Sequence, residues 1–405
     1  MGGASVDVGN LAELLRSVGV DSAANPAGTN APKTKKETET ETKIFSSLGE
    51  GVTPPSEIDA SVEERPPRSD GLYSARRTPE HESFVAFAGL SDFSDEKSLP
   101  FQWDGQLIPR LSVLGKTEAT SQFLLDSTPV ILTGALRQWP ALSKWSFEFF
   151  AKHYPDSSVI ANDRAPARKQ DMVSGQPQRT VHCSVKEYVE YVRQCKEGLS
   201  ASKPAAPFYL NGWHAFTSHP ELLSDICYPG SQSLLEDHTP AVLEEIDKVL
   251  SRRGRGTADK LWAHNTDVLL NKVFVGPRGT ITRLHFDAHH AHGWLAQVKG
   301  KKLFVLFPPS DSPKLNPLSG EQTTQSPIDP LRPDFTRYPE CKSASLHYAI
   351  VKEGETIVIP EGWWHFAVAL DDSITVMRNF YNAFTNVKGL VEVFAEGYKK
   401  VSVKR

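Results

Sequence analysis

The chain has few cysteines, and none of them has the spacing of a metal-binding pair. The four are far apart and form no Cys-x-x-Cys motif: Cys183, Cys195, Cys227 and Cys341. This spacing argues against a disulfide scaffold and against a structural zinc knuckle. Unpaired cysteines are typical of reducing compartments, so we expect a cytoplasmic or nuclear location.

Long apolar runs and an excess of one charge are also missing. No uninterrupted apolar run approaches the roughly 20 residues that a transmembrane helix needs, so we expect no membrane span. The N-terminus has no basic stretch followed by an apolar core, which argues against a secretory signal. The net charge is only -4, so composition gives no sign of strong binding to nucleic acid.

Apolar residues are scarce over 21–100, where alternating Glu and Thr residues are followed by several prolines. Such a segment buries too little apolar surface to offset its chain entropy, so we predict that 1–100 is largely disordered. Within it, the apolar spacing of 6–19 predicts a short helix, either on the surface or docked on a partner. A folded domain is predicted over 101–385, followed by a C-terminal tail or helix over 386–405.

Short apolar runs dominate the second half of the chain, with glycine and proline between them. Their spacing indicates a closed or sandwiched β-fold. The strands predicted there are 273–275, 280–286, 294–298, 302–307, 356–359 and 374–381. Upstream, one strand is predicted over 128–134 and helices over 145–153, 185–193 and 240–251. The fold class is therefore mainly β with flanking helices.

Proline is concentrated in the segment 308–340, which carries eight of them. Proline has no backbone N–H to donate and is excluded from helix interiors and central strands. The segment is therefore predicted to be a long loop over the β-fold, and loops of this length usually serve function or are disordered.

The most informative segment is Thr282-Arg-Leu-His285-Phe-Asp287. In an extended chain, side chains two residues apart point to the same face, so His285 and Asp287 project together. With a second imidazole they form the two-histidine, one-carboxylate triad of non-haem Fe(II) oxygenases, which leaves positions open for co-substrate and O2. The candidate for that imidazole is His365, predicted to lie just after a strand and the turn Pro-Glu-Gly-Trp-Trp.

The second half of the chain resembles the JmjC or cupin-8 branch of the 2-oxoglutarate dioxygenases. Four features in this order carry the resemblance: an HxD motif, an aromatic-rich strand, a strand that begins with lysine and a Pro-x-Gly-Trp-Trp-His turn. The resemblance covers roughly 125–385 and is most specific over 280–382. It implies a double-stranded β-helix (jelly-roll, cupin-like) core, and it makes 101–385 the catalytic domain. It also implies that His285, Asp287 and His365 bind Fe(II), and that 2-oxoglutarate and O2 are co-substrates.

The resemblance places four more residues beside the co-substrate: Lys302, Thr282, Tyr209 and Asn379. Lys302 matches the lysine that binds the far carboxylate of 2-oxoglutarate, and an inward ammonium on an apolar strand needs such an anion. The alternatives are that Lys302 faces solvent, or that Lys299 or Lys301 shares its role. Thr282 is out of phase with His285 in a regular strand, so a β-bulge is needed to bring both inward. Each of the other three could instead be an ordinary wall residue.

Two nearby features leave alternatives open. Several relatives place an asparagine shortly after HxD or just after the equivalent of Trp294, where this chain has Gly293 and Leu295, which puts one contact in doubt. His289, His290 and His292 either lie in a loop without a ligand role or supply a second metal contact or an acid/base. Trp363 and Trp364 either pack the barrel mouth and fix His365 or form a stacking platform for the substrate.

The resemblance implies an enzyme that hydroxylates a protein side chain, with a protein or peptide as its substrate. The alternatives are an N-methyl-lysine or N-methyl-arginine demethylase, a hydroxylase of a small molecule, and a non-catalytic JmjC-like binding module. Members of the family often form homodimers through C-terminal helices, and a helix over 387–401 would provide one here.

Overall fold

The structure is a computed structural model that describes most of the chain from residue 69 onward. The described residues are 69–73, 78–113, 122–163, 178–198, 206–227, 235–250, 262–319, 324–382 and 385–391. The predictions for the helix at 6–19, for most of 1–100 and for 392–405 lie outside these residues. No helix in the described ranges has the length and apolar character to cross a bilayer.

Eight α-helices and fourteen strands are described, together with a short helical stretch over 387–391. The helices are α1 (Pro79–Ala88), α2 (Gln122–Leu125), α3 (Ala141–Lys144), α4 (Phe147–His153), α5 (Val185–Gly198), α6 (Ala215–Ser218), α7 (Thr239–Leu250) and α8 (Trp262–Leu269). Short 3-10 helices occur at Ser69–Tyr73, Glu96–Ser98, Pro220–Ile226, Pro309–Leu315 and Pro339–Ser343. The strands before residue 270 are β1 (Gly105–Leu107), β2 (Arg110–Ser112), β3 (Val130–Thr133), β4 (Ser158–Asn162), β5 (Thr180–Ser184) and β6 (Leu210–Trp213). Those after it are β7 (Asn271–Gly276), β8 (Ile281–His285), β9 (His292–Lys299), β10 (Lys302–Phe307), β11 (Leu346–Val351), β12 (Glu355–Ile359), β13 (Trp364–Ala369) and β14 (Ser373–Phe380).

The strands form two large sheets and one small antiparallel pair, β4–β5. The five-stranded sheet has the order β1-β11-β10-β13-β8, and the seven-stranded sheet has the order β2-β3-β12-β9-β14-β7-β6. Of the last eight strands, β7 to β14, four lie in each sheet and pair antiparallel within it. An eight-stranded core divided between two sheets is the architecture of a jelly roll. The predicted fold class is confirmed.

Side-chain alternation sets the layers of the core. On β10, Leu303, Val305 and Phe307 point away from the other sheet and pack against helix α1 and the proline-rich loop. Phe304 and Leu306 face the other way and pack between the two sheets. Because Lys302 has the same parity as these two residues, its side chain also enters the space between the sheets.

The folded region begins earlier than the predicted boundary at residue 101. Helix α1 starts at the N-cap Thr78, whose hydroxyl accepts a hydrogen bond from His81 N, and Pro79 and Glu80 follow in the first turn. The helix buries Phe84 and Phe87 against the five-stranded sheet. Two buried phenylalanines contribute about 3–6 kcal/mol together, enough to hold a short helix against the domain.

All the strands and helices predicted after residue 128 are confirmed, with end shifts of a few residues. Five strands before residue 270 were not predicted: β1, β2, β4, β5 and β6. After residue 270 two more were missed, β11 and β13, and the second carries His365, which the sequence placed just after a strand and a turn. The proline-rich loop is confirmed in its described part, where it forms only 3-10 turns and one isolated bridge, between Gln325 and His285.

Candidate metal and co-substrate site

Three predicted metal ligands lie together at one end of the jelly roll. His285 is the last residue of β8 and pairs directly with His365 on β13, so their rings lie with centroids 4.1 Å apart. Asp287 follows just beyond β8, with its Oδ1 3.9 Å from His285 Nε2. One potential ligand atom from each of the three lies within 4.8 Å of the others, and no second such group occurs among the described residues.

Both imidazoles are held in the tautomer that a metal ligand requires. The Nδ1–H of His285 donates to the carbonyl of Arg283 at 2.8 Å, and the Nδ1–H of His365 donates to the carbonyl of Trp363 at 3.0 Å. Each Nε2 lone pair is therefore free for a metal ion, with the ring orientation fixed by the backbone. Burial, and to a smaller degree the neighbouring His365, lowers the pKa of His285 far below its ordinary value and keeps the ring neutral.

The carboxylate of Asp287 is oriented by residues of the opposite sheet. Asn379 on β14 donates from Nδ2 to Asp287 Oδ2 at 2.8 Å. Gly293 on β9 leaves room for the same oxygen, because a Cβ there would lie only 3.1 Å from Oδ2. The sequence placed Asn379 beside the co-substrate, whereas its observed partner is Asp287. The glycine that departs from the pattern of relatives is the one that lets the carboxylate approach β9.

This donor set fits a ferrous ion. Two neutral imidazole nitrogens and one carboxylate oxygen on one side of a cavity are the facial triad, and they leave the remaining coordination positions open. The backbone carbonyls behind the histidines and the amide behind Asp287 supply the outer hydrogen bonds that such ligands have in metal sites.

Lys302 lies deeper between the sheets, as the sequence predicted. Its Nζ donates to the hydroxyl of Tyr209 at 3.0 Å and lies 5.4 Å and 5.7 Å from the ring centroids of Tyr209 and Phe274. Among the described residues, no carboxylate lies within ion-pair distance of this ammonium. Burial alone lowers its pKa to about 7. Lys302 is therefore a buried amine for which the described part of the chain supplies no anionic partner.

Thr282 and Tyr209 join Lys302 in one pocket. The hydroxyl of Thr282 is hydrogen-bonded to the phenol of Tyr209, whose pKa is raised by burial. The predicted bulge is confirmed: His285 pairs with His365 and Thr282 with Ala367, so three steps on β8 face two on β13. This irregularity turns both Thr282 and His285 toward the interior.

The two other lysines considered for this role lie elsewhere. Lys299 donates to the carbonyl of Leu142 and pairs with Glu353 at 2.9 Å. Lys301 lies 4.0 Å from Asp371 at the surface. Lys302 is thus the lysine that enters the cavity.

The histidines that follow the HxD motif do not join the triad. His292 is buried on β9, where its Nδ1 accepts from Glu361 N at 2.9 Å and its Nε2 contacts Thr385 Oγ1 at 2.7 Å. Burial lowers the pKa of His292 to about 4, so it is a neutral structural residue. His290 is exposed and contacts Glu361.

The two tryptophans pack the barrel mouth. Trp363 donates from Nε1 to the carbonyl of Ser127 at 2.9 Å, and Trp364 donates to Ser312 Oγ at 2.8 Å. Trp364 is fully buried and Trp363 nearly so. Their packing fixes the strand that carries His365, which favours the first of the two interpretations over a stacking platform.

Sequence reasoning missed a buried ion triad beside the site. Arg378 on β14 pairs with Asp237 and Asp267, each at 2.6 Å, and none of the three side chains is exposed by more than 5%. The triad joins β14 to the residues around α7 and α8. Because Asn379 is the next residue, the triad also fixes the strand that orients Asp287. Asp237, Asp267 and Arg378 are far apart in the sequence, so no local pattern predicts that they form an ion triad.

The fold and the donor set define a jelly-roll protein with a candidate facial-triad metal site, and comparison with known proteins names its family. The profile of the cupin-like domain matches residues 116–386, and the chain belongs to this family. Lysine-specific demethylase 8 of Xenopus tropicalis is 27% identical over 66% of this chain and 52% of its own length. Lysine-specific demethylase JMJ30 of Arabidopsis thaliana is 28% identical over 63% of this chain and 50% of its own. The mouse 2-oxoglutarate and iron-dependent oxygenase JMJD4 is 27% identical over 64% and 57%.

These matches confirm the resemblance on which the predictions were based. The chain spans about half the length of the curated relatives it matches. The matched region contains the jelly roll, the three candidate ligands and the Lys302 pocket, whereas helix α1 lies before it.

Proposed function

We propose that this protein is a Fe(II)- and 2-oxoglutarate-dependent dioxygenase that hydroxylates a side chain of another protein. One observation carries the proposal: the histidine–aspartate–histidine group shares the space between the same two sheets with a buried lysine that has no anionic partner among the described residues. A metal site alone would suit many proteins. The cation nearby calls for a small dianionic co-substrate that reaches from the metal to Lys302.

In this proposal His285, Asp287 and His365 hold the iron. The two neutral imidazoles donate through Nε2, and Asp287 supplies the only negative charge, so the ion keeps a net positive charge toward its open positions. When bound, iron and 2-oxoglutarate supply the oxidative decarboxylation that consumes O2, releases succinate and CO2 and makes an oxidant able to attack a C–H bond.

Lys302, Tyr209 and Thr282 bind the far carboxylate of 2-oxoglutarate. A carboxylate here would accept from the ammonium and from two hydroxyls, and such charge-assisted hydrogen bonds are about twice as strong as neutral ones. The carboxylate would also return the pKa of Lys302 toward its ordinary value, since the ammonium would no longer be buried without a counter-charge. The apolar inner faces of β10 and β12 keep water out of the pocket.

The choice of a protein substrate is supported by the relatives. Their names include an oxygenase and several demethylases that act on lysine or arginine residues. Removal of a methyl group from lysine or arginine begins with hydroxylation of that methyl carbon, so one metal site serves both reactions. N-methyl demethylation is therefore the second candidate. A non-catalytic module is disfavoured because a binding scaffold needs neither the triad nor a buried lysine.

Succinate release with added Fe(II), ascorbate and 2-oxoglutarate tests the oxygenase. Trapping partners on the Asp287→Ala variant and mapping additions of 16 Da on them by mass spectrometry identifies the substrate, while formaldehyde release marks demethylation. Surface variant Asp371→Ala is the matched control for the loss of one carboxylate. If the wild-type protein forms no succinate with any trapped partner, and neither Fe(II) nor 2-oxoglutarate raises its melting temperature, the proposal fails.

The predicted homodimer is a separate question, which sedimentation of the full chain answers.

A further inference from the structure

The connection that carries Asp287 contains an unfavourable backbone turn. It links β8 in the five-stranded sheet to β9 in the seven-stranded sheet and closes with a hydrogen bond from Ala291 N to the carbonyl of Ala288 at 3.4 Å. The two central residues, His289 and His290, have φ values of 61° and 58°. Turns with two left-handed residues strongly favour asparagine and glycine, because a Cβ atom crowds the backbone in this conformation.

Side chains near the C-terminus hold this turn in place. Tyr381 donates from its hydroxyl to the carbonyl of His289 at 3.2 Å, and Asn386 donates from Nδ2 to the carbonyl of His290 at 2.7 Å. Asn386 is itself fixed, because its Oδ1 accepts from Asn382 N at 2.7 Å. Tyr381 and Asn386 are each 2% exposed, so both donors are buried, whereas the carbonyls that accept from them belong to the more exposed turn.

A glycine in the helical residues 387–391 provides the space for the turn. A Cβ on Gly389 would lie 2.5 Å from the Cβ of His290 and 2.8 Å from the carbonyl oxygen of His289. The first contact is with a part of His290 that no rotamer change can move away, so a side chain at 389 must displace the turn. The C-terminal segment and the turn are therefore built to fit each other.

We infer that Tyr381, Asn386 and Gly389 position Asp287 for metal binding by holding the His289–His290 turn in its left-handed conformation. The inference rests on the metal site of the proposed function. Asp287 lies two residues before His289, and Asn379, which orients its carboxylate, lies two residues before Tyr381. Asn379 thus holds the Asp287 carboxylate, and Tyr381 and Asn386 hold the two carbonyls of the turn that follows it. Strained residues persist where the surrounding structure holds them, and they cluster at functional sites. Asn386 is on this account a positioning residue, since it touches neither metal nor substrate.

Metal affinity of the purified full chain tests the inference. Mn(II), which binds such sites without oxidation, is titrated calorimetrically into the wild type, Asn386→Ala and Gly389→Ala, with the exposed Lys388→Ala as the matched control. Loss of an outer contact behind a metal ligand typically weakens metal binding about 10–100-fold. We expect at least about tenfold weaker binding for the first two variants and wild-type affinity for the control. In the metal-free proteins, hydrogen–deuterium exchange of the amides at 288–291 should accelerate in the same two variants.

Glycine in the turn separates positioning from a general loss of stability. His289→Gly adopts the left-handed conformation freely, so the double variant His289→Gly/Asn386→Ala should recover Mn(II) affinity to within about threefold of His289→Gly alone. A variant that was merely less stable would not recover in this way. If Asn386→Ala does not fold, Asn386→Asp keeps the bond from Asn382 N and removes the donor to the carbonyl of His290, together with a longer bond to the carbonyl of Phe380 at 3.3 Å, and the same weakening is expected.

Two results overturn the inference and are distinct from failure of the proposed function. Equal Mn(II) affinities for the wild type, Asn386→Ala and Gly389→Ala would show that the turn does not position Asp287. Failure of glycine to restore affinity would show that Asn386 acts by another route. Failure of the wild type itself to bind Mn(II) would instead refute the metal site, and with it the proposed function.

Discussion

Replacement of Lys302 by methionine should stabilise the protein without co-substrate and weaken 2-oxoglutarate binding. Methionine has a similar length and carries no charge, so it fills the space between the sheets. The gap between the ordinary lysine pKa of 10.5 and the buried value of about 7 corresponds to about 5 kcal/mol, an upper bound on the cost of burying this group at neutral pH. If Lys302→Met recovers even half of this free energy of unfolding, the melting temperature of a domain this large should rise by about 4 °C or more.

The pH dependence follows from the same group. The unfolded chain holds a proton on this lysine up to a pH near 10.5, whereas the folded protein releases it near 7. Between these values the unfolded state binds more protons, so stability rises with pH. The advantage of Lys302→Met should therefore be full below pH 7 and shrink as the pH rises toward 10. Melting temperatures at pH 6, 7.5 and 9 measure it.

The affinity for 2-oxoglutarate should fall as the pH rises, whereas the stability of the free protein rises. The far carboxylate of 2-oxoglutarate binds the protonated lysine, so its affinity should fall about tenfold for each pH unit above 7 in the wild type. Loss of a hydrogen-bonded charge pair costs about 2 kcal/mol, so Lys302→Met should bind about thirtyfold more weakly at pH 6.5 and lose the pH dependence. Calorimetric titration of the Mn(II)-loaded protein measures both. Surface variant Lys301→Met is the control. A lower melting temperature for Lys302→Met, with unchanged 2-oxoglutarate affinity, would refute the assignment.

Three further predictions concern the neighbours of this pocket. Asp287→Ala should abolish succinate formation while Asp371→Ala retains it, and activity in the first variant would rule out the triad. Gly293→Ala should place a methyl group against the Asp287 carboxylate and weaken Mn(II) binding about tenfold with little change in melting temperature; equal Mn(II) affinity in calorimetry would contradict the close approach. Arg378→Met leaves two buried carboxylates without their partner and should cost about 3–5 kcal/mol in urea unfolding. A loss below 1 kcal/mol would show that the ion triad contributes little.

The short apolar runs between glycines and prolines predicted a closed or sandwiched β-fold, and the family resemblance implied the jelly roll. Two core strands were missed although they are as buried as the predicted β10: β11 follows the proline-rich loop, and β13 follows the Pro-Glu-Gly turn. Helix α1 was missed because it follows a long polar segment and is held by two phenylalanines rather than by a strong helical pattern. Length and composition alone placed the boundary too late.

The site was predicted as far as local spacing reaches. His285, Asp287 and His365 come from motifs, and the need for a bulge at Thr282 follows from strand geometry alone. Lys302 was chosen by its match to the family motif, and a role for Lys299 or Lys301 stayed open, because a shift of one residue reverses the face of a strand. The partner of Asn379 and the left-handed histidines depend on distances between segments far apart in the chain, and no local pattern encodes them.

His285 and His365 lie on the five-stranded sheet, whereas the carboxylate of Asp287 is held by Asn379 of the seven-stranded sheet. A divalent ion bound there would cross-link the two layers at their open end, much as a covalent tie would. Removing it would leave that rim as the first part of the sandwich to separate on heating, while the apolar layer formed by Ile131, Phe304 and Ile357 between the sheets stayed closed. The candidate metal site would then also stabilise the fold.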